Sequence, residues 1–124
     1  MLNEAVAAKA QLRARMRALR RELPADAASS ASRAAADRVL ALLAPSGLAG
    51  GEVAVFLSLP QEIDTGPLAV LLRSASAVLS LPRMVGRDAS LRFHRWSPGD
   101  PLCRAALGVQ EPLAEQPEVS PEVI

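Results

Sequence analysis

The sequence predicts an α/β fold, a mostly parallel sheet covered by helices on both faces and left incomplete at the C-terminus. Three observations carry this. Glu52–Pro60 is a near-continuous apolar run, the pattern of a strand buried on both sides, as in parallel sheets. Residues 53–81 then read as strand, helix and strand, the crossover unit that joins parallel neighbours. Ahead of them, two segments repeat apolar residues at the helical period.

The elements follow in order. Residues 3–22 read as an amphipathic helix, with Leu12, Met16, Leu19 and Leu23 on one face and expected to pack against the body. Pro24 ends it and suits the first turn of the next. The second helix spans about 25–44, with Ala35, Val39, Leu42 and Leu43 expected toward the core. Pro45, Ser46, Gly47, Gly50 and Gly51 break it. After the apolar strand, Thr65 is placed to cap a third helix carrying Pro67 in its first turn and burying Leu68, Leu71 and Leu72. Ala77–Leu81 is a second strand, ended by Pro82. Leu91–Trp96 alternates as a strand with one wetter face, and Ser97–Pro101 is a turn. Residues 1–112 are thus read as part of one α/β domain, and 113–124 as an acidic, Pro-rich segment that is extended or disordered.

Composition narrows the function classes. With 124 residues, half of them hydrophobic and 22% charged, the chain suits one packed domain. Aromatics are 2%, so the core must be aliphatic. The single cysteine, Cys103, excludes an internal disulfide framework and a cysteine-based zinc cluster. No apolar run reaches the roughly 18 residues of a membrane span. No secretory leader pattern is seen, since Asn3, Glu4 and Lys9 interrupt the N-terminus. A soluble cytoplasmic protein without membrane partners is expected. The net charge of +1 hides an asymmetry. Lys9, Arg13, Arg15, Arg17, Arg20 and Arg21 crowd the first helix, whereas Glu111, Glu115, Glu118 and Glu122 lie in a tail without bases.

Three places could carry chemistry. On the first helix, Lys9, Arg13, Arg17 and Arg20 share a stripe that could converge on phosphates. It is also what an ordinary solvated helix face looks like. The chain's only lysine lies on this stripe among 13 arginines. No aromatics interleave with it, which speaks against nucleic acid. Leu57–Thr65 follows the carboxyl end of the buried strand, where open α/β sheets hold ligands. Glu62 there could accept from a ligand's N–H groups or be a solvated turn acid. Arg83, after the second strand, could meet an anion, bridge to Glu62 or face solvent. His94 reads as a strand-face residue, Trp96 as core with a possible stacking role, and Cys103 as inert.

Taken in order, these segments resemble the 5-formyltetrahydrofolate cyclo-ligase family (5,10-methenyltetrahydrofolate synthetases). The landmarks are Lys9-x-x-x-Arg13, Val53-Ala-Val-Phe-Leu-Ser-Leu-Pro-Gln-Glu-Ile-Asp-Thr65, Leu81-Pro-Arg-Met84, Leu91-Arg-Phe-His-Arg-Trp96, Gly99-Asp100 and Gly108-Val-Gln-Glu-Pro112. The resemblance implies a fold of the sugar isomerase/CoA-transferase type and a ligase. It implies use of ATP and Mg²⁺ to convert 5-formyltetrahydrofolate to 5,10-methenyltetrahydrofolate, with release of ADP and phosphate. The formyl oxygen would attack the γ-phosphate, N10 would close the ring, and phosphate would leave. Lys9 and Arg13 would contact ATP, Leu57 and Glu62 the folate, with Arg83 and Trp96 as additional contacts.

The family's glycine-rich Arg-Leu-Gly-x-Gly-x-Gly-Tyr-Tyr-Asp segment, including its Mg²⁺ ligand, would lie beyond Ile124. On sequence alone no metal ligand and no catalytic residue is therefore assigned within 1–124. These residues by themselves are expected to fold marginally, associate and turn over no folate, whereas a complete protein would be a monomer. The alternatives are a non-catalytic remnant that keeps some folate, nucleotide or protein contacts, and a basic-helix nucleic-acid module.

Overall fold

The computed structural model describes residues 2–105 and 108–124. Two long helices come first, α1 (Leu2–Glu22) and α2 (Ala25–Leu43). Pro24 sits at the N-cap of α2 with φ −59°, and its carbonyl accepts Ala28 N at 3.0 Å. Its ring thus sets the helix entry without removing a bond the helix needs. Short 3₁₀ turns at Ala44–Ser46 and Leu48–Gly50 follow, hinged at Gly47, whose φ of 75° favours glycine.

The remaining elements are β1 (Glu52–Ala54), α3 (Gly66–Ser74), β2 (Val78–Arg83), β3 (Arg92–Arg95), β4 (Leu102–Arg104), β5 (Gln110–Pro112) and β6 (Glu118–Val119). One sheet has the order β1-β2-β3-β6, and β4 with β5 forms a separate ribbon. β1 and β2 are parallel, in register Val53↔Leu79, with α3 as the crossover. The β2–β3 and β3–β6 pairs are antiparallel. The α/β class therefore holds, but the sheet is mixed rather than mostly parallel. Antiparallel neighbours need no helical crossover. Both α2 and α3 feed a single core cluster, so a second helical layer is not seen among the described residues. Val53, Ala69, Leu72, Ala77, Leu79, Leu81 and Trp96 form that cluster, with Leu40, Leu43 and Leu68 packed on it. Among the described residues no helix is long and apolar enough to cross a membrane.

Several boundaries differ from expectation for identifiable reasons. β1 ends at Ala54, because beyond it the chain bends into a loop and Phe56 is exposed. β2 continues through Pro82, which pairs with Phe93. Val55 N donates to Ser80 O and Trp96 N to Leu79 O. Even-numbered residues of β2 thus address β1, and β1 pairing stops at Ala54↔Ser80. Pro82 lacks its N–H where no neighbour asks for it.

Helix α2 points Ser32 and Ala36 inward, with Val39, Leu40 and Leu43 half-buried. Leu42 is 78% exposed, contrary to expectation. The inward line is 32, 36, 39/40, 43, one notch around the helix from the line read off an alanine-rich sequence. Thr65 is the N-cap of α3 by position but makes no side-chain cap bond. Asp64 Oδ1 instead accepts Gly66 N at 2.8 Å.

The apolar stripe of α1 is the largest departure. Leu12 is 57%, Met16 40% and Leu19 47% exposed, so most of the stripe lies open among the described residues. An amphipathic pattern states that a face suits burial, not what covers it. The acidic, Pro-rich segment runs extended beside the sheet. Glu118 pairs with His94, Arg95 N donates to Pro117 O at 2.8 Å, and Val123 forms a parallel bridge with Val53.

Fully buried Leu72 and exposed Leu12 give opposite expectations. Leu72→Ala should lower the unfolding free energy by about 2–5 kcal/mol. Leu12→Ala should change it by less than about 0.5 kcal/mol. Chemical denaturation followed by circular dichroism checks both.

Candidate functional site

Leu57–Thr65 leaves the carboxyl end of β1 and returns to α3, and its own side chains hold it together. Ser58 Oγ donates to Ile63 O at 2.5 Å and accepts Thr65 N at 3.0 Å. Thr65 Oγ1 donates to Phe56 O at 2.6 Å, so the hydroxyl expected to cap α3 instead closes the loop. Glu62 Oε1 accepts Leu59 N at 2.6 Å, and Glu62 N donates to Leu59 O at 3.1 Å. Between them Gln61 has φ 71°, the left-handed conformation that reverses the chain and carries a strain cost of about 1–2 kcal/mol in a non-glycine residue. The buried Ser32 hydroxyl of α2 accepts Asp64 N at 2.9 Å, fixing the loop to the helical layer.

Among the described residues, three of the cavities that border this loop meet the site residues expected from the sequence. The first, about 340 Å³, is apolar and is lined by Phe56, Leu57, Pro67, Val70, Trp96 and Pro98 among others. Trp96 is 8% exposed and its Nε1 has no hydrogen-bond partner in the described structure. The second, about 440 Å³, is polar and lies between Leu57–Pro60 and Arg104, Gly108 and Gln110. The third, about 200 Å³, is lined by Arg20, Leu23, Ser32, Gln61, Glu62 and Ile63. Leu57 therefore borders the first two, while Glu62 borders the third, on the α1 side of the loop.

The ribbon that walls the polar cavity is tied to β2 by a reciprocal clamp. Arg83 Nη1 donates to Pro112 O at 2.9 Å and lies 3.3 Å from Cys103 Sγ. Glu111, 8% exposed, accepts Met84 N through Oε2 at 2.8 Å. Arg83 thus braces the ribbon rather than facing Glu62 or solvent. His94 is buried with Nδ1 2.7 Å from Gln116 O, a strand-face residue in a structural contact.

Lys9 and Arg13 lie one turn apart on the exposed α1 and line none of these cavities. Arg20 does line the Glu62 cavity. At 1.5 Å rise per residue, Arg13 and Lys9 sit roughly 10 and 16 Å further along the helix from Arg20. The structure thus brings Leu57 and Trp96 to one cavity and Arg20 and Glu62 to another, and leaves Lys9 and Arg13 out along α1. Sequence reasoning missed Ser32, Ser58, Arg104, Gln110 and Glu111. A serine in an alanine-rich helix and one at a strand end carry no periodic signal. The cross-strand pairing that joins Arg104 to Gln110 is not visible in one dimension.

An α/β unit with an ordered loop at the carboxyl end of a parallel strand, and cavities on both sides of it, has the architecture of a ligand-binding enzyme. Residues 5–123 match the 5-formyltetrahydrofolate cyclo-ligase family, and the chain belongs to that ligase family. No individual curated protein matches the chain significantly.

The clamp predicts coupling. Arg83→Ala and Glu111→Ala should each cost about 1–3 kcal/mol, the range for leaving a buried partner unsatisfied. The double variant should cost less than the sum, because each change loosens the same ribbon. A double-mutant cycle by urea denaturation measures this. Strict additivity would show that the two contacts act separately.

Proposed function

We propose that the protein acts in the ATP-dependent cyclisation of 5-formyltetrahydrofolate to 5,10-methenyltetrahydrofolate, with release of ADP and phosphate. The observation that carries this reading is the family match over almost the whole chain. The site's chemistry supports it. Leu57 and Trp96 border an apolar cavity suited to a flat ring system. Glu62 lies on the other flank of the loop, at the α1-side cavity; its Oε1 is used within the loop, and the carboxylate keeps further acceptor sites for the N–H donors of a pterin edge that reaches that flank. Lys9 and Arg13 are cations one turn apart, suited to the phosphates of ATP, whose transfer depends on positioning and charge neutralisation.

Mg²⁺ enters this reading with ATP, as part of the substrate. Among the described residues no three His, Cys, Asp or Glu side chains are grouped to hold a metal ion, so no step is assigned to a protein-held metal. The reading includes a cytoplasmic setting, where ATP is at hand and a lone thiol such as Cys103 stays reduced.

A second reading is folate and nucleotide binding without turnover. It is favoured by the separation of Lys9 and Arg13 from the cavities beside Leu57. Trp96, the sole tryptophan, gives a direct binding signal. Its fluorescence should change on titration with 5-formyltetrahydrofolate, and Glu62→Ala should weaken that binding about tenfold. Lys9→Ala should weaken ATP binding by a similar factor and leave folate binding unchanged. ATP-dependent growth of the methenyltetrahydrofolate absorbance selects cyclisation, and binding of both ligands without that absorbance selects the second reading. No folate binding at all would refute both.

A further inference from the structure

The polar cavity has one cation in its wall, Arg104, at the end of β4. In the β4–β5 ribbon Arg104 is paired directly with Gln110. Directly opposed residues of an antiparallel pair project to the same face with Cβ atoms about 4.5–5.5 Å apart. A guanidinium and a carboxamide therefore stand side by side, across the cavity from Ser58, Leu59 and Pro60.

Arg104 is exposed, and the ion pairs described join Arg92 to Glu118 and Arg95 to Glu52. Among the described residues no carboxylate neutralises Arg104. The nearby Arg83, by contrast, is spent on Pro112 O. The ribbon is also fixed in place, since Glu111 and Pro112, next to Gln110, are the two residues clamped to β2.

We propose that Arg104, with Gln110 beside it, binds a carboxylate of the folate substrate's glutamyl tail and so selects folates with an anionic tail. This rests on the folate reading above. Leu57 borders both the apolar cavity and the polar one, so a ligand lying over it would meet apolar walls at its rings and donors at its tail. A guanidinium offers two parallel N–H groups that match a carboxylate, and the Gln110 amide can add a third donor. The alternative anion is the triphosphate of ATP. It carries several negative charges against a single cation here, while the chain concentrates its cations on α1, where Lys9, Arg13 and Arg17 lie outside this cavity.

The test compares 5-formyltetrahydrofolate with its diamide, in which both glutamyl carboxylates are neutral amides of similar shape. Trp96 fluorescence reports binding to the wild-type chain, Arg104→Ala and Arg104→Lys, with inorganic triphosphate as a further probe. The wild type should bind the folate about tenfold more tightly than the diamide. Arg104→Ala should abolish that preference while leaving diamide affinity unchanged, and Arg104→Lys should keep part of it through its point charge. Equal wild-type affinities, or an unaltered preference in Arg104→Ala, would overturn the proposal and leave the folate reading intact. Equal weakening of both ligands would also overturn it, by showing a structural effect. Weaker triphosphate binding with folate preference unchanged would reassign Arg104 to phosphate. Failure of the wild type to bind either folate would remove the folate reading itself, and this inference with it.

Discussion

Ser58 Oγ is the atom on which the candidate site depends. It donates forward to Ile63 O and accepts from Thr65 N, so one hydroxyl closes the loop between β1 and α3. A loop at a sheet's carboxyl end must satisfy its own polar backbone or be solvated and mobile. Here the small polar side chains do so. Thr65 returns to Phe56, Glu62 to Leu59 and Asp64 to Gly66, while Ser32 ties the loop to α2. With the backbone bonded internally, Leu57 and Glu62 are held out on opposite flanks, each at the edge of a different cavity.

The sheet's mixed character follows from how much each neighbour must supply. The parallel pair β1–β2 needs a crossover, and α3 provides it while burying Leu72 against Leu79 and Leu81. The next neighbours reverse direction and join without helices. This leaves room beside β2 for the β4–β5 ribbon, held by the exchange of Arg83 and Glu111 contacts rather than by strand pairing. The joint consists of a few side-chain bonds, from Arg83 to Pro112 O and Cys103 Sγ and from Met84 N to Glu111, backed by Leu102 packed on the core and by fully buried Pro112. The hydrophobic core, by contrast, is spread over many residues and tolerates loss at any one of them better.

Helix α1 is organised differently. Its cations and its apolar stripe are both exposed over most of its length, and only its last turn reaches the Glu62 cavity. The stiffness of a helix turns that one attachment into a lever. Whatever orients Arg20 and Leu23 also sets where Lys9 and Arg13 stand, roughly 10–16 Å away. The separation of the basic stripe on α1 from the loop after β1 is therefore a matter of one helical joint at Leu23-Pro24.

Much of this was legible one residue at a time. The helices at the N-terminus, the parallel β1–α3–β2 unit, the turn at Ser97–Asp100 and the loop after β1 all rest on local patterns. Apolar period, proline position and turn chemistry act within a few residues, so the sequence by itself determined them, and the landmark motifs determined the family. The direction of β3, the course of β2 through Pro82 and the pairing of Arg104 with Gln110 were decided only in the tertiary structure. So were the role of Arg83 as a brace and the exposure of Leu12, Met16 and Leu19. Each depends on which neighbour lies alongside. An edge without a partner forgives a proline, a carbonyl from another strand captures a guanidinium, and an amphipathic face stays bare until something covers it. None of those neighbours is adjacent in the chain, and the free energy that chooses among them comes from packing and from satisfying polar groups in three dimensions.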